Sequence, residues 1–116
     1  ITAQNIRVKI IPVAKGWAKT SVNAVVFRKN SVTTFRQNQF VAFYDADSKV
    51  VVAKRKFGTK NWQIQTTQFS GNTADAHNSI SLSVDGKGFL HLAWNHHNSP
   101  LQYVRNKTAE SLEFTG

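Results

Sequence analysis

The sequence contains no cysteine among its 116 residues. Disulfides and thiolate metal sites are therefore excluded. The sequence also lacks any apolar run of about 18 residues or more, so it predicts no membrane span. Hydrophobic residues make up 41% of the chain and charged residues 18%. This balance is typical of a globular protein rather than of a disordered chain.

Acidic residues are also scarce, since 6 Asp and Glu oppose 15 Lys and Arg and give a formal net charge of +9. A field of this sign concentrates anionic partners such as nucleic acid, acidic polysaccharide or anionic membranes, although it also serves solubility. The cations are spread along the chain rather than gathered in a tail. A nucleic-acid binder is a third and weaker hypothesis, because no RNP, KH or helix-turn-helix signature is present. We predict neither a nucleic-acid nor a membrane partner.

Helical periodicity is missing throughout, because no window places apolar residues on one face of a 3.6-residue repeat. Short alternating or apolar segments bounded by turn-forming residues dominate instead, which predicts an all-β fold. The predicted strands cover residues 6–13, 22–27, 39–44, 49–57, 62–69, 79–84, 89–94 and 101–105.

A weak internal repeat aligns residues 40–55 with residues 89–105, each copy reading as a strand, a polar turn and a strand that ends in arginine. A period of about 50 residues with several strands per unit is typical of a β-propeller. We predict that the chain is part of one propeller domain, with an opening strand and loop over 1–21, a first four-stranded blade over 22–70 and an incomplete second blade over 71–116.

Propellers close with about 4–8 blades, so two blades leave an open sheet edge and an unfinished core. We therefore predict that further blades of the same protein, or a second chain, complete the propeller. In the second blade, the third strand is predicted within residues 101–113. A free-standing β-sandwich is the alternative fold.

Residues 83–89 (SVDGKGF) resemble the Asp-box, an S-x-D-x-G-x-x-aromatic turn of bacterial neuraminidase repeats. Lys87 stands at the usual glycine position, between Gly86 and Gly88. In such a turn the aspartate accepts backbone N–H groups and a glycine supplies the positive φ. We therefore predict a structural role for Asp85.

All four histidines fall between residues 77 and 97. His77 precedes one predicted strand of the second blade and His97 lies in the turn after the next, so both are expected at one pocket mouth. Two imidazoles beside amides are suited to proton transfer near neutral pH, with a satisfied polar turn as the alternative. His91 lies inside a strand and is predicted to be a packed, hydrogen-bonded core histidine.

A zinc site needs three or four converging ligands, and Asp75, His77, His96 and His97 are the nominal donors. Adjacent His96 and His97 point apart if the chain is extended, and no helix supplies an i, i+4 pair. We therefore predict no metal and no cofactor in this chain. A structural metal in other blades is compatible with this prediction.

Other chemistry-bearing patterns are sparse. Asp45 and Asp47 belong to a predicted hairpin turn, so the pair of carboxylates that glycoside hydrolysis requires is not apparent. Trp62 and Trp94 are predicted to pack between blades. Trp17 lies in a predicted loop, and its role stays open.

Two segments resemble the BNR-repeat-containing family, which includes the seven-bladed ulvan lyases. They read FVAFYDADSKVVVAKRKFGTKNW (40–62) and DAHNSISLSVDGKGFLHLAWNHHNSPLQYVR (75–105), within a likeness that runs from about residue 16 to residue 105. The resemblance implies a secreted or periplasmic polysaccharide lyase that cleaves ulvan, a sulfated polymer of uronic acid, by β-elimination.

On this resemblance, His77 corresponds to the proton-abstracting base, and His97 positions or helps to neutralise the uronate carboxylate. Asn78, His96 and Asn98 are expected to contact substrate. The family also uses a tyrosine and an arginine from later blades, so these two blades alone are expected to be inactive. A non-catalytic module for acidic glycans and a sialidase-like glycoside hydrolase are the alternatives.

Overall fold

The computed structural model describes residues 4–26, 28 and 30–115. These residues contain two antiparallel sheets, no α-helix and no helix that would cross a bilayer. The strands, in chain order and sheet order alike, are β1 (Val32–Phe35), β2 (Asn38–Tyr44), β3 (Lys49–Lys56) and β4 (Gln63–Ser70) in one sheet and β5 (Ser81–Val84), β6 (Leu90–Trp94) and β7 (Gln102–Arg105) in the other.

Each sheet is a meander in which every strand pairs with the next along the chain. The predicted repeat corresponds to this topology, because β2 and β3 occupy the places in the first sheet that β6 and β7 occupy in the second. The predicted all-β fold is confirmed, and the two sheets are those expected of a propeller fragment.

The predicted strand over residues 6–13 is wrong, because residues 4–17 contain no strand. The side chains of Ile6, Val8 and Ile10 are 85%, 81% and 85% exposed. Their alternation matches a pleated strand, but no neighbouring backbone among the described residues pairs with them. Alternation therefore indicates the capacity to form a strand, while pairing requires a partner that the sequence pattern does not reveal.

The predicted strand over residues 22–27 is also wrong. Ser21–Asn23 forms a short 3₁₀ turn, in which the Thr20 hydroxyl accepts a hydrogen bond from Val22 N–H, and Phe27 lies outside the described residues. The first sheet begins instead at β1, which joins β2 through the two-residue connection 36–37. Arg36 has a φ of 53° there, as tight hairpins require.

The core lies between the two sheets and is built by alternate residues of facing strands. Leu90, Leu92 and Trp94 of β6 are buried together with Phe40 and Tyr44 of β2. The strands β2 and β6 thus turn alternate side chains toward the core. This packing fixes the second sheet, and with it the loops at its ends, against the first.

The two predicted inter-blade tryptophans have different surroundings. Trp94 is 3% exposed, its ring centroid lies 5.0 Å from that of Phe69, and its Nε1–H donates to the Ser70 carbonyl at 3.1 Å. Since Phe69 and Ser70 belong to the first sheet, the prediction for Trp94 is confirmed. Trp62 is half-buried beneath the Arg55 guanidinium, 5.5 Å from the ring centroid, and lies outside the core.

The strand β7 ends at Arg105, well before residue 113. Asn106 ends it, because its side-chain oxygen accepts from Leu90 N–H at 3.0 Å and its amide donates to the Ser111 carbonyl at 2.9 Å. The following residues fold back, and Phe114 is buried in the core. In the described chain β7 is an edge strand, with Tyr103 60% exposed.

The turn between β5 and β6 has the predicted Asp-box character. One Asp85 carboxylate oxygen, Oδ1, accepts the backbone N–H groups of Lys87 at 2.9 Å and Phe89 at 3.1 Å, and Gly88 has a φ of 88°. The other oxygen, Oδ2, lies 2.9 Å from Nε2 of His91. The structural role predicted for Asp85 therefore extends beyond its own turn.

His91 lies on the face of β6 that is turned away from the core, so the prediction of a core position is wrong and that of a hydrogen-bonded histidine is confirmed. Its Nδ1 is 2.6 Å from the Tyr103 hydroxyl, while Nε2 faces Asp85. A carboxylate only accepts, so Nε2 carries the proton and Nδ1 accepts from the tyrosine. A chain of hydrogen bonds thereby links the β5–β6 turn to β6 and β7.

The hydrogen bond from His91, followed by those from the turn backbone, lowers the pKa of Asp85 from 3.8 to about 2. A lowered pKa in the folded state contributes stability that is present above pH 3.8 and is lost as the pH falls through about 2. We expect Asp85→Asn to melt below the wild type at neutral pH, and the gap to narrow between pH 4 and pH 2. Thermal unfolding followed by circular dichroism across this range measures the gap.

His91→Leu serves as the control for this prediction, because it removes the largest cause of the low pKa of Asp85 while leaving the turn intact. In His91→Leu, the pH range in which the Asp85 carboxylate loses its contribution to stability should therefore move upward, toward pH 4. A gap between Asp85→Asn and the wild type that stays constant down to pH 2 would contradict the assignment.

Candidate functional site

Two loops meet at one end of the strands of the second sheet. Residues 71–80 lead into β5, and residues 95–101 connect β6 to β7. Backbone N–H of Asn72 donates to the side-chain oxygen of Asn95 at 2.8 Å. Asn78, which is fully buried, accepts the backbone N–H of His97 on its side-chain oxygen at 2.8 Å and donates its amide to the Asn72 carbonyl at 3.1 Å. The two loops are therefore held together by asparagine side chains rather than by strand pairing.

The first sheet also holds the loop of residues 71–80 in place. The Tyr44 hydroxyl, on β2, donates to the backbone carbonyl of Asn78 at 2.6 Å. Burial raises the pKa of Tyr44 to about 12, so the hydroxyl keeps its proton at every pH near neutrality. The loop that carries His77 is consequently fixed to the neighbouring sheet by a permanent donor.

Asp75 lies at the centre of the site. Its Oδ1 accepts the backbone N–H of His77 at 2.9 Å and lies 2.8 Å from Nδ1 of the same residue. Its Oδ2 lies 2.5 Å from Nδ1 of His97. One carboxylate thus holds both imidazoles, whose ring centroids are 4.4 Å apart with the planes inclined by 31°.

These contacts determine the ionisation state of the carboxyl group. The hydrogen bond from His97, followed by the backbone and side-chain bonds from His77, holds the pKa of Asp75 well below its usual range. At neutral pH the carboxylate is therefore negative and acts only as an acceptor.

The same contacts also determine which imidazole nitrogens carry protons. Since Asp75 only accepts, the Nδ1 atoms of His77 and His97 are each protonated toward it, and whenever one of these rings is neutral its lone pair lies on Nε2. Orientation of a histidine by a carboxylate on its other nitrogen is the arrangement that general bases and metal-binding histidines use.

The structure brings the predicted histidine pair together. His96 is exposed and lies outside the cluster of Asp75, His77 and His97, and Asn98 is also exposed. The roles predicted for His96 and Asn98 in substrate contact stay predictions. The Asn78 side chain is instead buried between the loops, and we assign it the task of positioning His97.

Sequence reasoning missed the central position of Asp75, which it considered only as a nominal zinc donor. The spacing Asp-x-His carries a local signal, because an aspartate two residues before a histidine can accept the backbone N–H of that histidine in an Asx turn. The second contact, to His97, spans 22 residues and depends on the packing of two loops. No local pattern encodes it.

Three of the four nominal metal donors converge. One ligand atom from each of Asp75, His77 and His97 can be chosen so that all three lie within 4.8 Å of one another. The expectation that adjacent histidines point apart applies to His96, which is not in the group. His77 joins His97 from the other loop instead.

Two packed antiparallel meanders with a loop site at one end are consistent with a fragment of a β-propeller. The sequence profile of the BNR repeat-containing family matches residues 38–116, more than half of the chain, and the chain belongs to that family. The membership makes this a carbohydrate-related propeller domain. No curated protein matches the chain.

Proposed function

We propose that this chain carries the histidine half of a polysaccharide lyase site, which cleaves a sulfated, uronic-acid-containing polysaccharide of the ulvan type by β-elimination. The observation that carries the proposal is the pair of imidazoles, 4.4 Å apart and oriented by one ionised carboxylate. Membership of the BNR repeat-containing family supplies the carbohydrate context. The resemblance to ulvan lyases supplies the reaction class.

The proposed base is His77, whose side chain is 61% exposed. Its Nε2 takes the C5 proton of the uronate, and the electron pair left on C5 forms the C4–C5 double bond. The bond from C4 to the bridging oxygen breaks, and that oxygen accepts a proton as the leaving sugar departs. As His77 becomes an imidazolium, the negative charge of Asp75 stabilises it.

In this proposal His97 positions the carboxylate of the sugar and helps to neutralise it. The C5 proton is acidic enough for an imidazole to remove only when the uronate carboxylate is neutralised. His97 assists in its imidazolium form, in which Nδ1–H donates to Asp75 and Nε2–H donates to the sugar carboxylate. The resemblance implies that a tyrosine and an arginine of other blades supply the remaining proton transfer and positive charge. A propeller of about 4–8 blades has room for such groups around the same opening.

The charge of the chain favours this class of substrate. A formal net charge of +9 raises the local concentration of a polymer that bears sulfates and carboxylates. Because this attraction is screened at higher ionic strength, binding should weaken as salt is added.

The test uses the propeller that contains these two blades together with its other blades, incubated with ulvan. We expect the ultraviolet absorbance of an unsaturated uronate to rise, and His77→Ala to abolish the rise. His91→Gln is the matched control, because it removes a histidine bound to a different aspartate, and it should leave the rate near that of the wild type. A failure to form unsaturated product from any uronate polymer would overturn the proposal.

The second candidate function is a non-catalytic module that binds acidic glycans. The side chain of Trp17 favours a binding module, because it is 69% exposed and aromatic rings stack on sugars. The positive charge of the chain favours an acidic glycan. This function predicts salt-sensitive binding of ulvan with neither unsaturation nor new reducing ends. Measuring binding and product formation in the same samples separates the two functions.

A glycoside hydrolase of the sialidase-like type has less support. Its mechanism needs two carboxyl groups about 5–10 Å apart. Asp75 is the single carboxylate in the cluster with His77 and His97. A hydrolase would have to draw both catalytic carboxylates, or at least one, from other blades.

A further inference from the structure

We propose that Asp75, His77 and His97 form a binding site for a divalent transition-metal cation, with Zn²⁺ as the best match. The site consists of two imidazoles and one carboxylate contributed by two loops. One ligand atom from each residue lies within 4.8 Å of the other two. Metal binding is an equilibrium property of the chain and goes beyond the proposed reaction.

The distances place the cluster close to a coordination geometry. Zinc binds nitrogen and oxygen ligands at about 2.0–2.2 Å, so ligand atoms around a tetrahedral ion are about 3.4 Å apart. Since the ligand atoms lie within 4.8 Å of one another, the widest pair must approach by at most about 1.4 Å. The side chains of His77, Asp75 and His97 are 61%, 27% and 41% exposed, so they have room to rotate toward a shared ion.

The chemistry of the donors selects the kind of ion. Imidazole nitrogens suit zinc, copper and nickel, whereas calcium and magnesium take oxygen ligands. Three protein ligands leave one tetrahedral position open for water, as in zinc sites that exchange ligands. The carboxyl group of Asp75 is the one acidic ligand of the cluster and supplies an oxygen donor beside the two imidazoles.

The backbone that carries these donors is already in place. Asn78 fixes the backbone of His97, and the Asx turn of Asp75 fixes the backbone of His77. The Tyr44 hydroxyl holds the same loop against the first sheet. Binding therefore has to order side chains but not loops, which limits its entropic cost.

The proposed metal and the proposed reaction use the same two imidazoles, so they exclude each other. A neutral imidazole has a single lone pair, so zinc bound at either nitrogen of His77 takes the lone pair that proton abstraction requires. A lyase built on this site should therefore be inhibited by zinc and restored by a chelator. This consequence rests on the proposed function, whereas binding itself does not.

The test is isothermal titration of Zn²⁺ into the chelator-treated 116-residue chain. We expect one binding event, and His77→Gln, His97→Gln and Asp75→Asn should each weaken it by about 10- to 100-fold or more. His96→Gln is the matched control, because it removes an exposed histidine adjacent to His97, and it should stay within about twofold of the wild type. Ca²⁺ and Mg²⁺ should give no comparable binding.

NMR of the unmodified chain provides a second readout that does not depend on whether the variants fold. In histidine-selective NMR spectra, Zn²⁺ should shift the ring signals of His77 and His97 and leave those of His91 unchanged. Absence of zinc binding, or equal losses in His96→Gln and His77→Gln, would overturn the inference. Zinc binding by a propeller that never forms unsaturated product would instead overturn the proposed function and leave the metal site standing.

Discussion

Trp94→Ala should lower the free energy of unfolding by about 3–5 kcal/mol, the largest effect on stability that we expect from a single substitution in this chain. The indole is 3% exposed and packs on Phe69 of the other sheet. Its removal also leaves the Ser70 carbonyl without the Nε1–H donor. Equilibrium unfolding in urea, followed by circular dichroism, measures the loss.

Trp17→Ala is the control for this substitution, because Trp17 is 69% exposed and its truncation should change stability by less than about 0.5 kcal/mol. Trp94→Phe should fall between the wild type and the alanine variant, since it keeps a ring but loses the hydrogen bond. Equal losses for Trp17→Ala and Trp94→Ala would show that the packing between the sheets contributes little. The graded series keeps the result readable if Trp94→Ala is too unstable to fold.

Asp75→Asn should reduce the rate of β-elimination by the complete propeller by about 100-fold or more, by analogy with the orienting aspartate of hydrolytic triads. Asparagine retains an oxygen that can accept His77 N–H, so the turn survives. Its NH₂ group cannot accept a hydrogen bond from the second imidazole, so the two rings no longer have the same tautomer. The rate is measured in the presence of a chelator, which removes any effect of bound metal.

A merely structural role for Asp75 predicts a different outcome. If Asp75 only closes its turn, Asp75→Asn should leave both the tautomers and the rate unchanged, because asparagine also closes Asx turns. Nitrogen-15 NMR of the imidazoles reports the tautomer directly, and the melting temperature reports the fold. Asp47→Asn, which changes an exposed aspartate of the β2–β3 turn, controls for the loss of one negative charge.

The fold could be predicted where the sequence encodes it locally. Alternation and turn residues placed β2, β3, β4 and β6 within one or two residues of their observed bounds. The same criterion failed for residues 6–13, whose alternation is as regular. The difference lies in pairing, which depends on whether another strand is available and not on the residues themselves.

The candidate site could be predicted in part for a similar reason. The proximity of His77 and His97 follows from blade topology, since the two loops lie at the same end of the strands. The position of Asp75 between them depends on side-chain rotamers and on two loops packing together. Asn78 was misread because an asparagine beside a histidine looks the same in sequence whether it faces substrate or the protein interior.

The hydrogen bond from Tyr44 to the loop of the second sheet limits how freely these repeats can be exchanged. A repeat protein is often treated as a set of interchangeable modules, yet the loop that carries His77 depends on a hydroxyl from the preceding repeat. Grafting the second repeat into another propeller should therefore transfer the histidine geometry only when the preceding repeat also brings its tyrosine. The transferable unit is the junction of two repeats rather than either repeat alone.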